Sequence, residues 1–347
     1  MVYFLISRKL YKVKIDFVIP WVDGSDPVWI SERNKYGSAF ADETKANGDD
    51  RYRDWGLLRY FFRSVAENAS WVGTIHFLTF GHLPEWLDVS HPKIHIVRHS
   101  DYIPSEYLPT FNSNVIELNV HRIEDLAEHF VLFNDDLVII NPVSEDDFFH
   151  KGFPRITAIL SAAAVSRKDD FYVPVNVVSV LNDHFSPCDC IKRHPFKWIN
   201  PMYGLALFGT FAMLPFAGFR GFYEPHLCNA FLKSTFKEVW EAEGEELSKT
   251  CSHRFREVTD VSNWLIKDWQ CAKGDFFPRS IAFGRNFNLA SESDSVLSDA
   301  ESYLRKRKGK VVCLNDGPML PSQYEITRKR ILTCLNELFP CKCEFEL

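Results

Sequence analysis

The chain has 347 residues, of which 46% are hydrophobic, so it can bury the core of one large domain or of two moderate ones. Its formal net charge is -6 with acids and bases interspersed, which excludes the profile of a general nucleic-acid-binding protein, and we expect no nucleic-acid partner. Strongly apolar runs stay shorter than the ~20 residues that a membrane-spanning helix needs. We therefore expect a cytoplasmic protein, either free or peripheral at the inner face of the cell membrane.

The N-terminal residues, MVYFLISRKLYK, have too short an apolar run for a signal peptide, and an edge strand is the favoured interpretation. The nine cysteines are odd in number and scattered, which fits a reducing compartment. Two pairs, Cys188 with Cys190 and Cys341 with Cys343, could bind zinc, but their one-residue spacing is not that of the usual zinc fingers.

Residues 15–21, IDFVIPW, are predicted to form the first strand, and the turn VDGSDP follows at once. Gly24 allows a positive φ, while Asp23 and Asp26 project from the carboxyl end of the strand. Open α/β sheets bind their ligands at that end. The alternatives are an Asx turn, in which the aspartates bond their own backbone, and a Trp21 that packs in the core instead of stacking on a base.

Residues 31–50 are polar and small, which predicts an exposed excursion. The following residues 51–71 predict an amphipathic helix, since apolar side chains recur at helical spacing. Its start carries Arg51, Arg53 and Asp54. Arginines there could bind phosphate, although a solvated salt-bridge face is the commoner use. Two further strands are predicted where TIHFLTF and KIHIVRH occur, and this strand, helix, strand order favours a mainly parallel α/β sheet.

Residues 107–130 predict a helix that begins at a cap on Asn112 or Ser113 and has an apolar stripe reaching Phe130. Glu117 lies on the opposite face in the first turn. An acid there is stabilised by the helix dipole, so its presence does not by itself indicate a site. A helix that continues to Phe130 would lead straight into the next segment and bring Glu117 towards its acids.

That next segment, FVLFNDDLVIINP, interrupts two strand-like apolar runs with Asn134, Asp135 and Asp136. Carboxylates are rarely buried unless they are paired, accept several hydrogen bonds or bind a cation. The pattern therefore favours a metal or catalytic site, and the alternative is a tight turn that satisfies local backbone donors.

Three later strings carry further candidates: FYEPHLCNAF contains His226, SHRFREVTD contains Arg254 and Arg256, and KVVCLNDG contains Asn315 and Asp316. Taken alone, these fit a packing histidine, a surface ion pair and a strand-end turn.

The remaining segments are assigned by composition. Residues 290–298 predict a linker and residues 299–309 a charged helix, whose cluster Arg305, Lys306, Arg307 and Lys308 could face anionic lipid, although a solvated basic face is favoured. Residues 323–339 predict a helix packed on the core.

Taken in order, the strings IDFVIPWVDGSDPVW, RYRDWGLLRYFFRSV, WVGTIHFLTFGHLPEWL, LPTFNSNVIE and HRIEDLAEHFVLFNDDLVI resemble the first two conserved regions of the Stealth family. The strings with His226, Arg254 and Arg256, and Asn315 and Asp316 look like the third and fourth regions. These proteins are hexose-1-phosphoryltransferases of capsule and exopolysaccharide synthesis, similar to the catalytic subunit of the lysosomal-enzyme N-acetylglucosamine-1-phosphotransferase.

The resemblance implies transfer of a hexose or hexosamine 1-phosphate from a UDP-sugar to a hydroxyl of a saccharide or polysaccharide, giving a phosphodiester and UMP. It implies a Rossmann-like core of the GT-A type, with a mainly parallel sheet completed by elements from the C-terminal half, in one catalytic domain: a nucleotide-sugar core at 15–150, a variable acceptor-side segment at 151–219, a third family region at 220–289, and a linker with C-terminal strand and helices at 290–347. A capsule-assembly complex is a further partner that it suggests.

For the site, the resemblance implies that Asp135 and Asp136 hold Mg²⁺ or Mn²⁺, since hard cations take carboxylate and phosphate oxygens. His226 becomes the general base on the acceptor, Arg256 a clamp on the diphosphate, and Glu117 an orienting carboxylate. We expect nucleotide-sugar contacts from Trp21, Asp23, Gly24, Asp26, Arg51, Arg53, Asp54, Asn112, Arg254, Asn315 and Asp316.

Two rival functions remain at this point. One is a metal-dependent glycosyltransferase that attacks the anomeric carbon and releases UDP. The other is an inactive sugar-binding or scaffold protein, which would bind nucleotide without turnover.

Overall fold

The protein is described here from a computed structural model that covers residues 13–37, 48, 52–165, 172–290 and 294–347. The N-terminal segment and Arg51 lie outside the described residues, as does most of the predicted excursion at 31–50. The first part of the excursion, residues 31–37, is exposed or half-buried as expected, and it belongs to a helix.

Strands and helices follow one another in short groups along the chain. The strands are β1 (Ile15–Pro20), β2 (Ile75–Thr79), β3 (Ile94–Arg98), β4 (His129–Leu132), β5 (Leu137–Ile139), β6 (Phe149–His150), β7 (Phe153–Ile156), β8 (Asn229–Leu232), β9 (Phe277–Pro278), β10 (Gly284–Asn288) and β11 (Val311–Asn315). The helices are α1 (Pro27–Gly37), α2 (Leu58–Asn68), α3 (His99–Tyr102), α4 (Ser113–Leu118), α5 (Val173–His184), α6 (Pro187–Arg193), α7 (Pro195–Trp198), α8 (Leu207–Met213), α9 (Lys233–Ala242), α10 (Gly244–Ser252), α11 (Trp264–Lys273), α12 (Asp294–Arg305) and α13 (Pro321–Leu338).

The central sheet has the strand order β3-β2-β1-β4-β8. The first four strands are parallel and β8 runs antiparallel to β4, so the predicted mainly parallel α/β sheet is confirmed. The β2 residues are all buried, and α2 packs Phe61, Phe62 and Val65 into the same core as β1 and β2. Burial on both faces is the usual state of a parallel sheet.

A second sheet, of order β10-β11-β5, completes the core. The two apolar runs around Asn134 therefore belong to different sheets: β4 pairs with β1, whereas β5 pairs antiparallel with β11. The acidic tripeptide is the turn that connects them, closed by a hydrogen bond from the Leu137 amide to the Asn134 carbonyl. This second sheet brings the C-terminal quarter of the chain beside the turn. A small third sheet has the order β6-β7-β9.

The predicted helix over residues 112–130 is wrong beyond its first turns. The helix α4 ends at Leu118, and a 3-10 turn at Val120–Arg122 follows. Asn119 ends the helix, since its side-chain amide donates to the Val115 carbonyl at 2.8 Å, a local bond that competes with helix continuation. Phe130 lies in β4, so no continuous helix leads from Glu117 to the acidic turn.

The C-terminal elements differ from expectation in one boundary. The helix α12 begins at Asp294, within the predicted linker, and α13 packs Ile331 and Leu335 on the second sheet, as expected. In the basic cluster, Arg305 pairs with Glu337 and Arg307 with Glu67, each at 3.0 Å. None of the described helices has both the length and the apolarity needed to cross a membrane.

Candidate active site

Asp136 is the most constrained acid of the turn between β4 and β5. Its Oδ2 accepts a hydrogen bond from the Cys313 thiol at 3.1 Å and lies 3.9 Å from Nε2 of His226. Its Oδ1 is enclosed and has no hydrogen-bond partner among the residues that the structure describes. A buried carboxylate oxygen without a donor is costly in free energy, so this atom is suited to accept a cation or a donor from a bound molecule.

Asp135, the neighbouring acid, is influenced by three other carboxyl groups. Loss of hydration is the main cause that raises its pKa to about 7, and the carboxylates of Asp136, Asp54 and Asp316 add to the shift. The residue remains open to solvent at the surface of the turn, so water moderates both effects. Four carboxyl groups this close repel one another, and a divalent cation would relieve the repulsion.

Arg53 meets this group from the segment before α2. Its guanidinium holds Asp316 in a bidentate pair, with contacts of 3.0 and 2.7 Å, and also donates to the Gly317 carbonyl. The ring of Tyr324, on α13, lies 4.2 Å from the guanidinium carbon. Arg53 therefore neutralises one carboxylate of the acidic group and fixes the end of β11 against the core.

His226 stands on a strained stretch of backbone just before β8. Its φ is +50°, a left-handed conformation that a non-glycine residue adopts at a cost of about 1 to 3 kcal/mol. Two residues earlier, Glu224 pairs with the ammonium group of Lys267, which is buried in α11 and also lies 3.1 Å from Asp268. A buried ion pair thus anchors the loop that directs the imidazole towards Asp136.

Asp136, His226 and Cys313 form the group of potential metal ligands among the described residues, with ligand atoms all within 4.8 Å of one another. Neither of the two short-spaced cysteine pairs is part of this group, and all nine cysteines are free thiols. Burial raises the pKa of the Cys313 thiol, which donates to Asp136 and so stays protonated. The thiol therefore is not a ready metal ligand, and the Asp136 carboxylate and the His226 imidazole remain as candidate ligands of this group.

Cys313 was not among the residues predicted from the sequence. The signal was its position two residues before Asn315 in a strand, which places both side chains on one face of β11.

A cleft of about 660 Å³ lies at the carboxyl end of β1 and includes Trp21, Asp23, Asp26 and Asp54 in its lining. Trp21 is buried and packs against Phe77 and the edge of the His82 ring. Trp21 therefore packs in the core, which was the alternative to stacking on a base. It also borders the cleft.

The two aspartates of the first loop satisfy their own backbone. Asp23 Oδ1 accepts from the amide and hydroxyl of Ser25, and Asp26 Oδ1 accepts from the amides of Val28 and Trp29 at the start of α1. Burial opposes ionisation of Asp26, but these amides and His82 outweigh it and lower its pKa.

His82 was missed by sequence reasoning and holds this loop together. Its Nε2 accepts from the Asp23 amide at 2.8 Å, which assigns the proton to Nδ1, and Nδ1 donates to Asp26 at 3.1 Å. Burial lowers the pKa of His82, in agreement with a neutral ring.

Gly24 is required by close approach and not by a positive φ, which corrects the reason expected from the sequence. A Cβ at this position would lie 2.0 Å from the carbonyl oxygen of Tyr52. Tyr52 then donates its hydroxyl to the Phe111 carbonyl and so connects the first loop to the segment before α4.

The start of α4 collects the remaining candidates. Asn112 is fully buried, accepts from the Asn114 amide as the helix cap, and donates to Asp260 at 2.7 Å. Arg256 donates to the Ser113 hydroxyl at 2.7 Å. Arg254 donates to the Leu108 carbonyl at 3.4 Å, and its carbonyl accepts from the Phe111 amide.

Glu117 lies in the same helix and is buried. Burial raises its pKa to about 7, although the Asn263 amide, which donates to its Oε2, and the charge of Arg256 both act in the opposite direction. The described contacts thus place Glu117 with Arg256 and place Asp135 and Asp136 with Asp54, Asp316 and His226.

These features define an α/β protein with an acidic, cation-compatible site where its mainly parallel sheet meets a second sheet. Residues 13–41 match conserved region 1 of the Stealth proteins, and residues 51–156 match conserved region 2. The relatives include a capsular polysaccharide phosphotransferase WcwK of Streptococcus pneumoniae, 41% identical over 336 residues, which covers 96% of this chain and 98% of the relative.

Two other relatives extend the comparison. The exopolysaccharide phosphotransferase cps2G of Lactiplantibacillus plantarum is 34% identical over 334 residues, with 96% of both chains covered. The receptor polysaccharide phosphotransferase WefC of Streptococcus gordonii is 35% identical over 340 residues, covering 96% of this chain and 99% of the relative. The chain belongs to the Stealth family, and the expected family is confirmed.

Proposed function

We propose that this protein is a phosphotransferase of capsule or exopolysaccharide synthesis, which moves a hexose or hexosamine 1-phosphate from a UDP-sugar to a sugar hydroxyl. The observation that carries the proposal is the meeting of Asp136, which has an enclosed unpaired oxygen, with His226 at 3.9 Å. Relatives of nearly the same length are named polysaccharide phosphotransferases, which supports this reaction class.

The transfer needs a nucleophile, a leaving group and neutralisation of charge on the phosphoryl oxygens. In the proposed step the acceptor oxygen bonds to the β-phosphorus, the bond from that phosphorus to the bridging oxygen breaks, and UMP leaves. The hydroxyl proton passes to Nε2 of His226, which faces Asp136. The Asp136 carboxylate then stabilises the imidazolium that forms.

Asp135 and Asp136 are the residues that would hold Mg²⁺ or Mn²⁺. The fit rests on the unpaired Oδ1 of Asp136 and on the crowding of carboxyl groups around Asp135. Such a cation, when bound, supplies charge to the phosphoryl oxygens. Asp54 and Asp316 lie close enough to act on Asp135, and Arg53 keeps Asp316 in place.

The donor would occupy the cleft beside the first loop. Trp21 borders it, while Asp23, Gly24 and Asp26 shape the loop through their backbone contacts. In this proposal Arg254 and Arg256 bind the diphosphate from the start of α4, with Asn112 as the cap that positions them and Glu117 as an orienting carboxylate. Asn315 is the last residue of β11 and directly precedes Asp316, whose carboxylate lies near the acidic turn. Arg51, outside the described residues, remains a candidate from the sequence alone.

Substitution of the two central residues tests the proposal. Loss of the general base should reduce UMP release about 10²- to 10⁴-fold in His226→Ala, and loss of a carboxylate charge should do so at least as strongly in Asp136→Asn. His150→Ala is the matched control, because His150 pairs with Asp146 at the surface. Folding of each variant is checked by circular dichroism. Turnover near that of the wild type in a folded His226→Ala or Asp136→Asn protein would remove that residue from the mechanism.

A further inference from the structure

The surface of the protein has an exposed apolar patch that the proposed reaction does not use. Between Trp198 and Phe219 the chain has no charged residue. The structure breaks this stretch into a 3-10 helix, Pro201–Ala206, and α8, and leaves many of its large side chains in solvent. We call this surface the 196–216 patch, and its exposed members include Phe196, Met202, Leu205, Phe208, Phe211 and Phe216.

The exposure is too large for scattered surface residues. Phe196 is 85% exposed, Leu205 82% and Phe208 69%, although each would gain from leaving water. Large apolar side chains exposed together in one short stretch of the chain mark a place where another molecule or a lipid surface binds.

The patch is held in this orientation from the inside. Tyr203 and Thr210 are buried, and the Thr210 hydroxyl accepts from the Leu160 amide at 3.1 Å. A Cβ on Gly209 would lie 2.8 Å from the Leu160 carbonyl oxygen, so α8 sits tightly on the chain beneath it. The outward side chains are therefore presented by a fixed scaffold.

The charge around the patch indicates which partner it fits. From Cys190 to Tyr223 the chain has no aspartate or glutamate, but it has three exposed cations, Lys192, Arg193 and Arg220, in a protein whose net charge is -6. Lys197, in the same segment, is half-buried and donates to the Gly274 carbonyl. The Arg220 guanidinium carbon lies 5.4 Å from the centre of the Phe216 ring, and Lys192 and Arg193 are exposed at the end of α6.

We infer that the 196–216 patch is a monotopic membrane-binding surface, which inserts its phenylalanine and leucine side chains between anionic lipids. Apolar and aromatic side chains flanked by lysine and arginine are the chemistry that the headgroup region of an anionic bilayer accepts. A second copy of this chain is a poorer occupant, because a symmetric contact would bring two groups of like positive charge together.

The patch is connected to the loop of His226 through the chain beneath it. Leu160 pairs with Phe222, and the Tyr223 amide donates to the Ile159 carbonyl at 2.8 Å. His226 follows three residues later. Docking on a membrane would therefore place the loop of His226 near the lipid surface, where a membrane-held acceptor could reach it.

Vesicle sedimentation of the full chain tests the inference. The protein should bind phosphatidylglycerol vesicles more tightly than phosphatidylcholine vesicles, and added salt should weaken the binding. The double variant Leu205→Ser/Phe208→Ser should bind phosphatidylglycerol vesicles on the order of tenfold or more weakly, since two inserted side chains are lost.

The matched control is Leu320→Ser/Ile326→Ser, which removes two exposed apolar side chains at the start of α13 and should bind like the wild type. Both double variants should keep the circular-dichroism spectrum of the wild type, so that a loss of vesicle binding reports on the surface and not on folding. Equal vesicle binding by Leu205→Ser/Phe208→Ser and the wild type would overturn the inference. A wild-type dimer in light scattering without lipid, converted to monomer by the same variant, would identify a second copy as the occupant and also overturn it.

Discussion

Glu117 shows how the environment of a single residue sets its behaviour. Its carboxyl group is buried, accepts one hydrogen bond from Asn263, and has a pKa raised from 4.5 to about 7. In the unfolded chain the same group loses its proton near pH 4.5. The folded state therefore binds more protons than the unfolded state between these values, and stability must fall as pH rises through that window.

We predict that Glu117→Gln removes this pH dependence. The side-chain oxygen of glutamine can still accept from Asn263, but it cannot ionise. A shift from 4.5 to about 7 corresponds to about 3 kcal/mol of unfolding free energy. Urea titrations on either side of the window should show the wild type losing up to that amount relative to the variant as pH rises.

Glu106→Gln, at an exposed position, is the control and should keep the pH dependence of the wild type. An equal pH dependence in Glu117→Gln and the wild type would show that Glu117 ionises normally in the folded protein.

At the level of single residues, the sequence predicted the acids of the β4 to β5 turn because polar residues inside apolar runs stand out. It could not predict Cys313 as the donor to Asp136, or the pairing of Arg53 with Asp316, since these partners are far apart in sequence. His82 gave no local pattern either. Its role follows only from the loop that folds over its two ring nitrogens.

Among the elements, the loop before β8 depends on α11 for its shape. Lys267 of this helix is buried and meets two carboxylates, Glu224 from the loop and Asp268 from its own helix. Removing one partner from a buried ion pair leaves charge without compensation, which costs far more than the loss of a surface pair.

Lys267→Met should therefore destabilise the protein by about 3 to 5 kcal/mol, because Glu224 and Asp268 lose their cation. Lys249→Met provides the comparison: Lys249 is exposed and lies 3.9 Å from Glu246, so its loss should cost less than about 1 kcal/mol. Both values come from urea denaturation. Similar stabilities for the two variants would refute the anchoring role of the buried pair.

Element boundaries were predictable where hydrophobic periodicity was long. The parallel strands follow the sequence pattern closely. The helix α2 exists as predicted but begins at Leu58 and not at residue 51, so Arg53 and Asp54 precede it. The helix at α4 was predicted too long, because the stripe ending at Phe130 combines residues of a short helix, a 3-10 turn and a strand. One apolar spacing cannot distinguish these cases when Asn119 redirects the backbone.

For the whole molecule, the decisive feature is that the C-terminal quarter of the chain pairs with a strand from its first half. Strand β11, from the C-terminal quarter, pairs with β5 and so brings Asp316 and Cys313 to the turn after β4. The mainly parallel sheet was predictable from the order of strands and helices. Completion of the core by elements from the C-terminal half was also expected, and the second sheet confirms it. The particular pairing of β11 with β5 was not predictable, since it joins residues about half of the chain apart and no local signal specifies it.

The central claim is that the acidic turn and His226 act at a phosphorus atom and not at an anomeric carbon. Phosphorus NMR of the products from a UDP-sugar and an oligosaccharide acceptor tests this most directly. We expect a phosphodiester signal together with free UMP. A glycoside without phosphorus, formed together with UDP, would contradict it and would establish a glycosyltransferase in its place.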